Sequence, residues 1–141
     1  MERDNQRDEL PLAEAPRPKP SVMIVDDEDV VRRSLLKTLR KEGFELYSAS
    51  SAMDALLRLE EEPMDVVVSD QYMPGLMGVD FLEVVALRWP RSRRVLLSAF
   101  MDLKTAMDAV NRGKVHGLLV KPISVPEFRQ TIRSQLVEDP P

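Results

Sequence analysis

Short runs of β-branched and aliphatic residues alternate along this chain with stretches in which apolar residues recur every three or four positions. The first pattern suits buried strands and the second suits helices with one apolar stripe. Their alternation from Ser21 onward predicts a βαβα chain, and hence a parallel sheet covered on both faces. Five strand–helix pairs fit, with strands near Ser21–Val25, Glu45–Ala49, Met64–Ser69, Arg94–Ser98 and His116–Val120. In the first helix Val31, Leu35 and Leu39 mark the core side, Arg33, Lys37, Arg40 and Lys41 form a solvated basic stripe, and Gly43 closes the end. Ser51 and Asp54 have the spacing of a capping box for the second helix, which Pro63 stops. Leu103, Ala106, Met107 and Val110 mark the core side of the fourth, and Phe128, Ile132 and Leu136 that of the last.

Polar residues stand where the apolar runs give out: Asp26 and Asp27 after Val22–Val25, Asp70 after Val66–Val68, Ser98 after Val95–Leu97, and Lys121 after Leu118–Val120. Parallel strands share a carboxyl edge, which is where open α/β sheets bind ligands. Three carboxylates, a hydroxyl and an ammonium are therefore expected to converge. Acidic oxygens hold a hard divalent cation, and one of them can attack an electrophile such as a phosphoryl group. Singly, each residue also fits an ordinary role. Asp27 with Glu28 and Asp29 favours a helix N-terminus, Asp70 can cap a turn, Ser98 can cap a helix, and Lys121 can be a solvated side chain. Four strand ends all carrying groups useful to one reaction favour the shared site.

The chain has 141 residues, room for one domain plus a tail. Residues 1–20 mix both charges with Pro11, Pro16, Pro18 and Pro20 and are expected to form a flexible arm; 21–138 form the domain and 139–141 a C-terminal tail. A net charge of −4 argues against nucleic acid as the main ligand. With no cysteine and one histidine, a metal must rest on carboxylates. His116 is expected to be a strand-end residue. No run of about 18 apolar residues occurs, so a cytoplasmic protein with no membrane contact is expected.

From Ser21 to about residue 137 the sequence resembles the receiver domain of bacterial two-component response regulators, through Asp26–Asp27, Asp70 with Met73-Pro74-Gly75, Ser98, and Lys121-Pro122 in order. The resemblance implies a flavodoxin-like (βα)5 fold, a doubly wound five-stranded parallel sheet of order 2-1-3-4-5. It also implies Asp70 as phosphoacceptor, Mg²⁺ held by Asp26, Asp27, Asp70 and the backbone carbonyl of Tyr72, and a cis Lys121–Pro122 peptide. The phosphoryl donor would be a histidine kinase or phosphotransfer protein, with Lys121 and Ser98 binding the transferred group. The output would be a changed affinity for a downstream protein, with a homodimer formed through the fourth helix, fifth strand and fifth helix. Such a domain catalyses only its own phosphorylation and dephosphorylation.

Two features depart from the family pattern. Leu118 stands where receivers usually carry an aromatic residue, so the ring of the usual rotamer readout is missing, and it reads first as strand core. Tyr72 and Phe100 are bulky at positions that flank the path of attacking water, so either they shield the acyl phosphate or they pack in the core. Val30, on the less apolar side of the first helix, is a candidate for docking a kinase or phosphotransfer helix. Two other functions compete: a phosphorylation-independent interaction module, and a phosphohydrolase of the haloacid dehalogenase type. The latter wants an acid at position 72, which is tyrosine. Ser69–Gly75 and Asn111–Lys114 look similar to receivers attached to cyclic-dinucleotide phosphodiesterase domains.

Overall fold

A computed structural model describes residues 19–137. Of the expected arm over 1–20 only Lys19 and Pro20 are described, and the expected tail over 139–141 lies outside the described residues. The chain runs β1 (Ser21–Val25), α1 (Asp29–Leu39), β2 (Glu45–Ala49), α2 (Ala52–Glu61), β3 (Val66–Asp70), α3 (Gly78–Arg88), β4 (Arg93–Ser98), α4 (Leu103–Asn111), β5 (Gly117–Val120) and α5 (Val125–Gln135). All strand pairs are parallel, in the order β2-β1-β3-β4-β5. This is the flavodoxin-like topology that the resemblance to receiver domains implies.

The period-two alternation of side chains along a strand divides the core in two. Val22, Ile24, Val66, Val68, Val95, Leu97 and Leu119 face Leu39 of α1 and Phe128 and Ile132 of α5. Met23, Val25, Val67 and Leu96 face the other way, toward α2, α3 and α4, where Leu59, Phe81, Leu82, Val85 and Ala109 are buried. A continuous apolar run is what a strand covered on both sides requires.

The strand ends differ from the sequence reading in instructive ways. Met64 and Asp65 precede β3 rather than opening it, because the Asp65 carboxylate accepts the Ser21 backbone N–H at 2.8 Å and fastens the start of β1. At the other end β3 includes Asp70, which pairs with Leu97. His116 lies just before β5, where its Nδ1 accepts the Arg94 backbone N–H at 2.9 Å. Helix α1 is followed by one 3-10 turn over Arg40–Glu42 before Gly43, whose φ of 85° gives the left-handed exit. The Ser51 Oγ caps α2 by accepting the Asp54 N–H at 3.1 Å, but the Asp54 carboxylate accepts from Ser50 Oγ instead of closing a capping box.

The fourth helix overturns its expected orientation. Leu103, Met107 and Val110 are 76%, 52% and 58% exposed, and Ala106 is half-buried, whereas Ala109 is fully buried. A small residue lets α4 sit close on its neighbours, and the apolar stripe is left facing outward. Helical periodicity reveals that a stripe exists; what covers it is a tertiary matter.

Candidate functional site

Asp26, Asp27 and Asp70 each place a carboxylate oxygen within 4.8 Å of the others'. Register explains the meeting. Val25 pairs with Ser69 on the neighbouring strand, so the residues that follow them, Asp26 just past β1 and Asp70 at the end of β3, stand at one level. Lys121 arrives from β5, two strand spacings or roughly 10 Å from β3, and its long stem spans β4. Its Nζ lies 2.9 Å from Asp70 Oδ1 and 3.6 Å from Asp26 Oδ2. The Lys121–Pro122 peptide is cis.

Asp26 is 1% exposed and its groups are committed one by one. The N–H donates to the Ala49 carbonyl at 3.2 Å, Oδ1 accepts the Glu28 N–H at 2.9 Å, and the backbone carbonyl accepts from Arg32 Nη1 at 2.7 Å. Oδ2 alone has no hydrogen-bond partner. Burial pushes the Asp26 carboxyl above the usual carboxylate range; the Glu28 N–H and the Lys121 charge oppose that push, while Asp70 and Asp27 add to it. For Lys121, burial works to lower the ammonium's pKa, but the hydrogen bond and charge of Asp70, then Asp26, outweigh it and leave it raised. The edge is thus short of positive charge, and it offers hard oxygen donors with one buried lone pair unused. Those features fit Mg²⁺, which takes oxygen ligands and tolerates a few protein donors beside waters.

The other expected residues are nearby but differently engaged. Asp27 is exposed, Ser98 fully buried. Ser98 Oγ donates to the Phe100 carbonyl at 2.6 Å and accepts the Phe100 N–H at 3.3 Å, so its hydroxyl is spent within its own loop. Tyr72 and Phe100 are 44% and 61% exposed, which removes core packing as the reason for their bulk. Leu118 is half-buried and packs against the core on the α3 side of the sheet. Val30 is largely exposed, as a docking residue would be, and the basic stripe of α1 is solvated.

Three further residues at this edge carry no distinguishing signal in the sequence. Gln71 is buried; its Oε1 accepts the Val79 N–H at 2.9 Å and its carbonyl accepts the Gly78 N–H at 2.8 Å, so the residue after β3 caps α3. Gly78 presses on the same strand end, where an added Cβ would lie 2.3 Å from the Asp70 carbonyl oxygen and 2.9 Å from Gln71 Cα. Because those atoms are backbone, Gly78→Ala is expected to cost about 1–3 kcal/mol of unfolding free energy in a urea titration; a loss under about 0.5 kcal/mol would show that α3 can shift freely. The third, Arg32, is hidden in sequence beside the exposed Arg33.

A five-stranded parallel sheet of order 2-1-3-4-5 flanked by helices is the CheY-like α/β fold. Residues 22–133 match the response regulator receiver domain, and the chain belongs to that family, the switch domains of two-component signalling. It is 36% identical over 118 residues to the hydrogenase transcriptional regulatory protein HoxA of Cupriavidus necator, covering 84% of this chain and 24% of that protein. It is 30% identical over 115 residues to the regulatory protein AtoC of Escherichia coli, covering 82% and 25%. The chain therefore spans about a quarter of the length of these curated relatives. Among solved structures, the signal receiver domain of an HD domain-containing protein from Pseudomonas fluorescens Pf-5 superposes with a TM-score of 0.82 at 28% identity, covering 84% of this chain and 95% of the other. The beryllofluoride-activated NtrC4 receiver domain dimer superposes at 0.76 and 30% identity, covering 82% and 94%. Among the described residues no helix is long and apolar enough to cross a membrane.

Proposed function

We propose that this domain, spanning 21–138, accepts a phosphoryl group on Asp70 from a histidine kinase or phosphotransfer protein, with Mg²⁺ bound by Asp26, Asp27, Asp70 and the Tyr72 carbonyl, and thereby switches its affinity for a downstream protein. The observation that carries this reading is Asp70 held 2.9 Å from Lys121 Nζ, beside a buried Asp26 oxygen that lacks any hydrogen-bond partner. An Asp70 oxygen forms the new O–P bond as the P–N bond of phosphohistidine breaks and the imidazole leaves with its electron pair. Bound Mg²⁺ supplies the positive charge that lets two anionic groups meet. Lys121 is already at the acceptor and supplies a second cation to a phosphoryl oxygen.

Ser98 donates to the transferred group only by giving up its bond to the Phe100 carbonyl. That exchange unfastens the loop leading into α4, a route of readout that needs no aromatic ring at Leu118. The outward stripe of Leu103 and Met107, with Val120 of β5 half exposed, is the surface whose binding changes, whether to a partner protein or to a second copy of this chain. Nucleic acid is not its direct ligand.

Incubating the protein with acetyl phosphate and Mg²⁺ tests the reading. A stable mass addition mapped to Asp70 supports the switch; rapid multiple turnover indicates a phosphohydrolase; no reaction indicates an inert interaction module. The exposed rings of Tyr72 and Phe100 screen the acyl phosphate from water. The double change Tyr72→Asn with Phe100→Glu is therefore expected to speed loss of the phosphoryl group about tenfold, equivalent to roughly 1.4 kcal/mol of barrier. An unchanged decay rate, followed by mass spectrometry after donor removal, rules screening out.

A further inference from the structure

Two adjacent arginines of α1 share the Asp29 carboxylate yet lead different lives. Arg33 is 78% exposed, while the Arg32 side chain is 15% exposed and reaches back to the β1 end. There Nη1 donates to the Asp26 carbonyl at 2.7 Å while Nη2 pairs with Asp29. That carbonyl belongs to the peptide joining Asp26 to Asp27. The Asp26 N–H and Oδ1 are held by Ala49 and Glu28, so Arg32 fixes the one remaining backbone group and leaves Oδ2 unpartnered beside Lys121. Asp27 is exposed, and its place in the cluster depends on the tilt of the same peptide.

We infer that Arg32 is a positioning residue for the divalent cation: by clamping the Asp26–Asp27 peptide it makes both carboxylates face one ion. The inference rests on the Mg²⁺ reading of the site. A fork of two nitrogens suits this task, since one must hold the carbonyl while the other is fixed by Asp29; a lysine offers a single point. Groups that orient metal ligands usually contribute 10–100-fold to metal affinity.

The sign of the effect separates this role from a purely electrostatic one. A guanidinium near the cluster repels a cation, so if charge were its only contribution, removing it would tighten Mg²⁺ binding. If it only held the fold together, its removal would lower stability and leave the affinity of the folded protein unchanged. Calorimetric titration of Mg²⁺ into the full chain, with folding checked by urea unfolding in a metal-free buffer, distinguishes the cases. Arg32→Met is expected to weaken Mg²⁺ binding about tenfold or more, Arg32→Lys by an intermediate factor, and Arg33→Met not at all. Unchanged or tighter binding by folded Arg32→Met overturns the inference; should that variant not fold, wild-type affinity in Arg32→Lys overturns it. Failure of the underlying reading looks different: there the wild-type protein takes up no Mg²⁺, or Asp26→Asn binds it as well as wild type.

Discussion

Asp70→Asn will take up no phosphoryl group from acetyl phosphate and Mg²⁺, although it folds as well as the wild-type protein. The amide has the shape of the carboxylate but no nucleophilic oxygen anion, and no other carboxylate at the edge can replace it. Asp26 is buried with its Oδ1 bound to the Glu28 N–H, and Asp27 lies out in solvent. The fold tolerates the change because Asp70 sits where β3 meets its loop and still presents an oxygen to Lys121. Two electrostatic changes oppose one another: the charge-assisted bond to Lys121 weakens, and the repulsion that Asp70 exerts on Asp26 disappears. Net stability is expected within about 1 kcal/mol of wild type. Intact-protein mass spectrometry beside a urea titration checks both parts; a phosphorylated Asp70→Asn protein would move the acceptor elsewhere.

Asp26→Asn is expected to shift stability in opposite directions with and without metal. In metal-free buffer Asp26 holds a buried carboxylate oxygen with no hydrogen-bond partner, with Lys121 at 3.6 Å as partial compensation. Replacing that charge by a neutral amide, which is less costly to bury, is expected to raise the unfolding free energy by about 1–2 kcal/mol. Burial first, then neighbouring charges, hold this carboxyl above its ordinary value of 3.8. The folded protein therefore binds protons more readily than the unfolded chain, and this group's penalty is fully present above its raised pKa and disappears as pH falls toward 3.8. In the asparagine variant that contribution to the pH profile is absent. With Mg²⁺ the order reverses. Free Mg²⁺ about a hundredfold above its dissociation constant stabilises a folded protein that binds it by roughly 2.7 kcal/mol, and Asp26→Asn forfeits most of that gain. Parallel urea titrations with and without Mg²⁺ measure both terms; a variant less stable than wild type in metal-free buffer would mean that the carboxylate is adequately paired.

The strands were legible in sequence because a sheet covered on both faces needs unbroken apolar runs, and β1 and β2 begin and end at the expected residues. The acidic cluster was legible for a related reason: polar residues directly after such runs can stand only at one edge. Sequence was silent wherever a contact crosses between elements. Gln71 caps a helix that starts seven residues later, which requires the loop between them to fold back onto β3. Gly78 reads as a poor helix starter until the Asp70 carbonyl is found against it. Arg32 and Arg33 are alike in sequence, and only the turn of α1 decides which of them reaches the β1 end. The spacing in α4 reveals an apolar stripe but not its direction, which the structure turns outward, since the same spacing serves a core and a docking face.

The most direct test of the site as a whole is a crystal structure of the protein grown with Mg²⁺ and beryllofluoride, an unreactive substitute for the phosphoryl group. The proposed site requires beryllium bonded to one Asp70 oxygen, one Mg²⁺ contacting Asp26, Asp27, the other Asp70 oxygen and the Tyr72 carbonyl, Lys121 Nζ against a fluoride, and Ser98 Oγ turned from the Phe100 carbonyl toward another. A structure in which Mg²⁺ lies away from Asp26 and Asp27, or in which Asp70 remains unmodified and still paired with Lys121, would contradict it.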